Sequence, residues 1–281
     1  MRAAGAHNSR CCDPMSRLPR VNILGVGISA INLQQAVGEI ERWIASRDAQ
    51  YVNVCTVHTV MECQKDAHLR RVVNNSGLST PDGMPLVWLS LLHGYRDTGR
   101  VYGPDLMLAL CDRSQTTGSR HFFYGGAPGV ADRLVRKLQA RYPSLVVAGT
   151  CSPPFRPADA EEDRDVLAAI DAAAADIVWV GLGTPKQDYW VARHRALLRA
   201  PVLIAVGAAF DFHAGLVRQA PRWMQRSGLE WLFRLLHEPR RLAFRYLVYN
   251  PLFVLRVALQ LARIRRYPVE GQDGFRSSSL K

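Results

Sequence analysis

The sequence predicts an α/β fold: a parallel sheet with helices on both faces, a smaller N-terminal α/β lobe and a C-terminal amphipathic helical appendage. Three observations predict it. From Arg120 onward, short apolar strands alternate with amphipathic helices, the pattern of βα units building a parallel sheet. Three of those strands end in glycine-containing turns that lead toward a helix. Beyond Leu229 the alternation stops, and arginines interleave with leucine, valine and phenylalanine.

In chain order, Val21–Val26 reads as a strand and Asn32–Ala45 as a helix, with Leu33, Ala36, Val37, Ile40, Trp43 and Ile44 forming one apolar stripe. Tyr51–Val57 is the next strand and Thr59–Val73 a second helix. A short strand near Leu78 leads into Thr80-Pro81-Asp82-Gly83-Met84-Pro85, followed by helices Met84–His93 and Pro104–Arg113. His121–Tyr124 is a strand ending in Gly125-Gly126-Ala127, and Val130–Arg141 a helix. Leu145–Ala148 is a strand and Ala158–Ala174 a helix with acids in its first turn, where the helix dipole favours them. Ile177–Val180 ends in Gly181-Leu182-Gly183-Thr184-Pro185-Lys186-Gln187. Helix Asp188–Leu198 precedes strand Val202–Val206, which ends in Gly207-Ala208-Ala209-Phe210-Asp211. Pro239 and Pro251 are expected to break the tail into short helices. The expected division is a disordered tail over 1–20, a catalytic domain over 21–228, a basic appendage over 229–267 and a disordered tail over 268–281.

The 281 residues are 48% hydrophobic and 21% charged, a globular composition. The six cysteines form no CxxC pair, which suits reduced thiols in the cytoplasm. The net charge is +12, and the segment Leu229–Tyr267, with eight arginines and two glutamates, carries half of it. Such a patch fits a phosphorylated substrate or an anionic membrane surface. No zinc-finger, RNA-recognition or basic-helix motif points to nucleic acid. The first twenty residues lack the apolar run of a signal peptide, and no run of about 18 apolar residues predicts a membrane span.

Thr80–Pro85 carries the chemistry. Pro81 fixes its own φ and pushes Thr80 to an extended conformation, and Gly83 permits a positive φ or a close backbone approach. Asp82 at such a bend, beside apolar residues, suits a general base, while an Asx-turn or helix cap is the plainer reading. The three glycine-bearing strand ends let a phosphate or ribose approach backbone N–H groups. Neither a Walker A motif nor a full GxGxxG fingerprint is present, which counts against a dinucleotide oxidoreductase on this Rossmann-like sheet.

Six ordered blocks from about Val21 to Arg256 resemble the WecG/TagA/CpsF glycosyltransferases. They are Thr80–Met84, Arg100–Met107, Phe123–Ala127, Val180–Gln187, Gly207–Asp211 with Ala220-Pro221, and Gly228–Leu235 with Glu238-Pro239-Arg240-Arg241. The resemblance implies inverting transfer from a UDP-sugar to a polyprenyl-diphosphate-linked saccharide, at the inner face of the cytoplasmic membrane, in cell-surface polysaccharide synthesis. It implies Asp82 as general base, with Thr56 and Arg100 beside it. It places Gly125, Gly126, Ala127, Gly181, Gly183, Pro185, Gln187, Gly207, Asp211, Arg234 and Arg241 around the donor. One departure is Thr56-Val57-His58, where the family commonly has Thr-x-Asn.

Displacement at the anomeric carbon needs a base for the acceptor hydroxyl and positive charge for the departing UDP. The chain is read as having no Asp-x-Asp metal motif, so arginines and backbone N–H groups are expected to stabilise the diphosphate, without cofactor or divalent metal. The expected partners are the UDP-sugar, the lipid-linked acceptor and the membrane surface, not nucleic acid, with homo-oligomerisation left open. The alternatives are the oxidoreductase and a non-enzymatic peripheral membrane protein.

Overall fold

The computed structural model describes residues 18–153 and 160–270. Residues 1–17 and 271–281, most of both expected tails, lie outside it. Six strands form one parallel sheet: β3 (Gln50–Cys55), β4 (Leu78–Pro81), β5 (Arg120–Gly125), β6 (Val146–Cys151), β7 (Ile177–Gly181) and β8 (Val202–Ala205), in the order β4-β3-β8-β7-β5-β6. The α/β expectation stands.

Side-chain alternation along the strands builds two layers. Val52, Val54, Phe123, Ile177, Trp179, Val202 and Ile204 face α1 (Leu33–Ser46), α5 (Gly103–Thr117), α6 (Val130–Arg141) and α9 (Ala209–Ala214) in one core cluster. Tyr51, Phe122, Tyr124, Val178, Val180, Leu203 and Ala205 face α7 (Ala160–Ala172) and α8 (Lys186–His194) in another.

The N-terminal segment differs from its single expected strand. It is an antiparallel hairpin of β1 (Arg20–Ile23) and β2 (Val26–Ser29). Leu24 and Gly25 both take positive φ, 53° and 81°, the turn geometry that matches strand twist in a two-residue hairpin. The expected helix Thr59–Val73 is two helices, α2 (Val57–Cys63) and α3 (Ala67–Asn74). The Asp66 carboxylate caps α3 by accepting from the His68 and Leu69 amides, so a new helix starts there.

The tail also departs from expectation. After α10 (Arg222–Arg226) and α11 (Glu230–His237), α12 runs unbroken from Pro239 to Leu261 with Pro251 inside it. Leu242 and Tyr249 before the proline, and Phe253 and Val257 after it, are all buried. Packing on both sides holds the helix through a residue that costs about 3 kcal/mol in a helix interior. Tyr249, Phe253 and Val257 share a third cluster with the hairpin, α2, α3 and Leu86 of α4 (Met84–Leu92). The Gln260 amide clasps the hairpin turn, accepting from the Leu24 amide (2.9 Å) and donating to the Asn22 carbonyl (3.0 Å). Although α12 is long and apolar enough by composition to cross a membrane, one of its faces is spent on this core.

Candidate active site

Strand order brings five carboxyl ends together: Thr56 after β3, Asp82 after β4, Gly125 ending β5, Gly181 ending β7 and Gly207 beyond β8. This edge is where open α/β sheets bind ligands. A cleft of ≈ 1550 Å³ opens there, closed on its far side by α11 and α12. Thr56, Asp82, Arg100, Gly126, Ala127, Gly181, Gly183, Gln187, Gly207, Asp211, Arg234 and Arg241 all line it. Gly125 and Pro185 do not line it.

Asp82 is fixed by its backbone. Its amide donates to the Cys55 carbonyl (2.9 Å), and the Val101 amide donates to the Pro81 carbonyl (2.9 Å). Gly83, not Asp82, is the N-cap of α4, and no side chain caps that helix. The cap reading of Asp82 therefore falls. Gly83 has an ordinary φ of −75°, so its expected positive φ is not used; a Cβ there would stand 3.6 Å from the Val57 amide nitrogen.

One guanidinium joins two carboxylates. Arg100 Nη2 donates to Asp82 Oδ1 (2.9 Å) and to Glu230 Oε2 (2.6 Å), while its Nε donates to the Asp82 carbonyl. The Tyr102 hydroxyl donates to Glu230 Oε1 (3.1 Å), and the Arg100 guanidinium stacks 4.0 Å over the Tyr102 ring. Burial pushes the Asp82 carboxyl up to about 6; Arg100 opposes that shift and Glu230 adds to it. Oδ1 is engaged, and no hydrogen bond reaches Oδ2 among the described residues.

The glycines divide by role. A Cβ on Gly125 would lie 2.6 Å from the Gly181 backbone, and one on Gly181 would lie 2.6 Å from the Phe210 ring. These two glycines permit close packing of strand ends. Gly183, with φ +77°, has open space around its missing Cβ and donates its amide to Gln187 Oε1 (3.0 Å). Beneath that loop Asn53 donates to Asp188 (2.6 Å), both fully buried.

The other wall is cationic. Arg234 packs 5.6 Å over the Phe212 ring and faces Glu238 at 3.9 Å, and Arg241 pairs with Glu238 as well. Burial raises the Asp211 carboxyl, aided by Glu238 and opposed by Arg241 and Arg234. Thr56 is the N-cap of α2, its hydroxyl accepting from the Thr59 amide (3.4 Å). His58, the departure from the family pattern, lines the cleft and stacks on Tyr249 of α12 (5.7 Å). Burial, then Arg245 and Lys65, lower its imidazole to about 3.

An Asp-x-Asp triplet does occur, Asp163-Arg164-Asp165, but it sits in α7 rather than a strand-end loop. Asp163 Oδ2 is 3.0 Å from the His194 Nε2 of α8. Among the described residues no three His, Cys, Asp or Glu side chains group as a metal site.

The arrangement is a buried base candidate at a sheet edge, facing arginines across a cleft. A model described as the glycosyl transferase WecG/TagA/CpsF family matches residues 21–267. The chain belongs to this family. This WecG/TagA/CpsF glycosyltransferase is similar to a Bacillus subtilis protein, 30% identical over 212 residues, 75% of this chain and 80% of the relative. A Bacillus spizizenii protein is 31% identical over 180 residues, 64% of this chain and 68% of the relative. Both relatives are named N-acetylglucosaminyldiphosphoundecaprenol N-acetyl-beta-D-mannosaminyltransferase. Membership sets aside the oxidoreductase and the non-enzymatic readings.

Glu230, Tyr102 and the Asn53–Asp188 pair were not singled out from sequence. Glu230 and Tyr102 stood inside recognised blocks, Gly228–Leu235 and Arg100–Met107, and that was the available signal.

Proposed function

We propose that this glycosyltransferase moves an N-acetylhexosamine- or hexose-type sugar, with inversion, from a UDP-sugar to a polyprenyl-diphosphate-linked saccharide. The product feeds a cell-surface polysaccharide, and the enzyme works as a peripheral protein on the cytoplasmic membrane. The relatives' names support the acceptor class, and their β-linked product fits inversion of an α-linked nucleotide donor. The observation that carries the chemistry is Asp82: a buried carboxyl fixed at the edge of the sheet, with Oδ1 held by Arg100 and Oδ2 left for an acceptor hydroxyl.

The acceptor hydroxyl gives its proton to Asp82 as its oxygen attacks the anomeric carbon. The bond from that carbon to the UDP oxygen breaks, and the diphosphate leaves with its electron pair. Arg234 and Arg241 meet the charge that develops there. Asp211 stands beside these arginines, where the nucleoside would lie. Turnover without added divalent metal is part of the proposal. Complete loss in a chelator, restored by magnesium or manganese, would sink that part.

The test is radiolabelled transfer to extracted polyprenyl-linked lipid with a panel of UDP-sugars. One UDP-sugar should label the lipid. Labelling with none of them, by protein that binds UDP, would overturn the acceptor assignment.

A further inference from the structure

The geometry points to an isoprenoid-binding trough between α4 and α12, which takes the first units of the acceptor's lipid chain. The inference rests on the lipid-linked acceptor proposed above and adds where its chain lies. The cleft that holds Asp82 and Arg100 continues along Trp88 and Leu89 of α4, facing Val254, Val257 and Leu261 of α12. At its base Leu86 and Leu89 belong to the same apolar cluster as Phe253 and Val257. Beyond that cluster the lining is open to solvent: Trp88 is 49% exposed and Val254 66%.

Trp88 is seated rather than loose. A Cβ on Gly228, which has φ +74°, would lie 2.8 Å from the Trp88 ring. The indole therefore abuts the turn that leads into α11 and Glu230. From Asn250 to Leu261 the trough wall runs about 16 Å at 1.5 Å per residue.

Two stripes on α12 separate this trough from a membrane-facing surface. Asn250, Val254, Val257 and Leu261 recur at steps of four, three and four and line the cleft. Phe244, Leu247, Val248 and Leu255 form another stripe, exposed and away from the cleft. A helix that only rested on lipid would need the second stripe alone. The trough's inner end opens toward Arg234, Arg241 and Arg245, which line the same cleft. An apolar furrow ending at arginines complements one kind of molecule: an apolar chain that ends in a diphosphate.

The experiment titrates full-length protein, free of membrane, with farnesyl diphosphate, inorganic diphosphate and farnesol by calorimetry. Each methylene removed from water is worth about fourfold in affinity, so farnesyl diphosphate should bind at least ~10-fold tighter than diphosphate. Trp88→Ala and Val254→Ser, both at exposed positions, should each erase most of that advantage and leave diphosphate affinity unchanged. An unaltered farnesyl-to-diphosphate ratio in both variants overturns the trough. So does a loss confined to binding of anionic phospholipid vesicles, which would make these side chains membrane contacts only. Because no sugar moves in this titration, failure of the transfer assay with an intact, Trp88-dependent chain preference would reject the acceptor reading and not the trough.

Discussion

The two halves of the cleft are built differently. On the sheet side, Asp82 is held by main-chain hydrogen bonds at a strand end, so its place follows from the register of β3 and β4. On the appendage side, Glu230, Arg234 and Arg241 project from helices that reach the body through side chains. The first half fixes the carboxyl proposed as the base, and the second supplies charge that depends on docking. Arg100 is the seam, bonded to Asp82 on one side and Glu230 on the other.

The largest effect belongs to the sheet side. Asp82→Asn should lower kcat by about 10²–10⁴-fold, the usual worth of a general base, with UDP affinity kept. The same variant has a signature in stability. The folded-state pKa of Asp82 is raised, from 3.8 to about 6, so its contribution is full below pH 3.8 and is lost as pH rises through 6. Relative to wild type, Asp82→Asn should therefore gain stability as pH rises from about 4 to 7. Near-normal turnover at pH 7 would remove Asp82 from the chemistry.

Next comes the docking of the appendage. The expected division between 228 and 229 implies a body that folds when truncated before Leu229, but α12 shares a core cluster with the β1–β2 hairpin. Phe253→Ala should cost about 3–5 kcal/mol of stability, read by denaturant unfolding. A cost under about 1 kcal/mol would mean a helix laid on a finished core, and would restore truncation as a clean test of the site.

These cases show what the sequence can carry. The parallel sheet is legible because each strand is a short apolar run with a helical stripe beside it, and the site loops are legible because ligands gather at strand carboxyl ends. The Leu24–Gly25 turn was missed because Leu24 is a poor local signal for positive φ. The continuous α12 was missed because Pro251 is a strong local stop that packing overrides. The Arg100–Glu230 bridge joins residues 130 apart, and no local pattern encodes it.

That bridge gives the sharpest test of coupling between the halves. Glu230 adds to the rise of the Asp82 pKa, and Arg100 and Arg234 oppose it. Glu230→Gln removes one negative charge and leaves both arginines, so Asp82 should ionise at lower pH. A base works deprotonated, so the acid limb of kcat should move to lower pH by a fraction of a unit or more. Glu230→Gln should thus lose least activity, relative to wild type, near pH 5. An unmoved limb, with Asp82→Asn inactive, would show that the halves are joined structurally but not electrostatically.

The smallest expected effect separates two jobs at Thr56. Its hydroxyl caps α2 through the Thr59 amide, and its position lines the cleft. A lost cap costs about 1 kcal/mol, so Thr56→Ala should lower stability by that much and Thr56→Ser by little. If capping is the whole role, kcat follows stability and all three proteins turn over alike below their melting points. A kcat deficit in Thr56→Ala, absent in Thr56→Ser and unchanged on cooling, would show the hydroxyl touching substrate. It would also place a second sheet-side contact beside Asp82, and leave the appendage to bind charge alone.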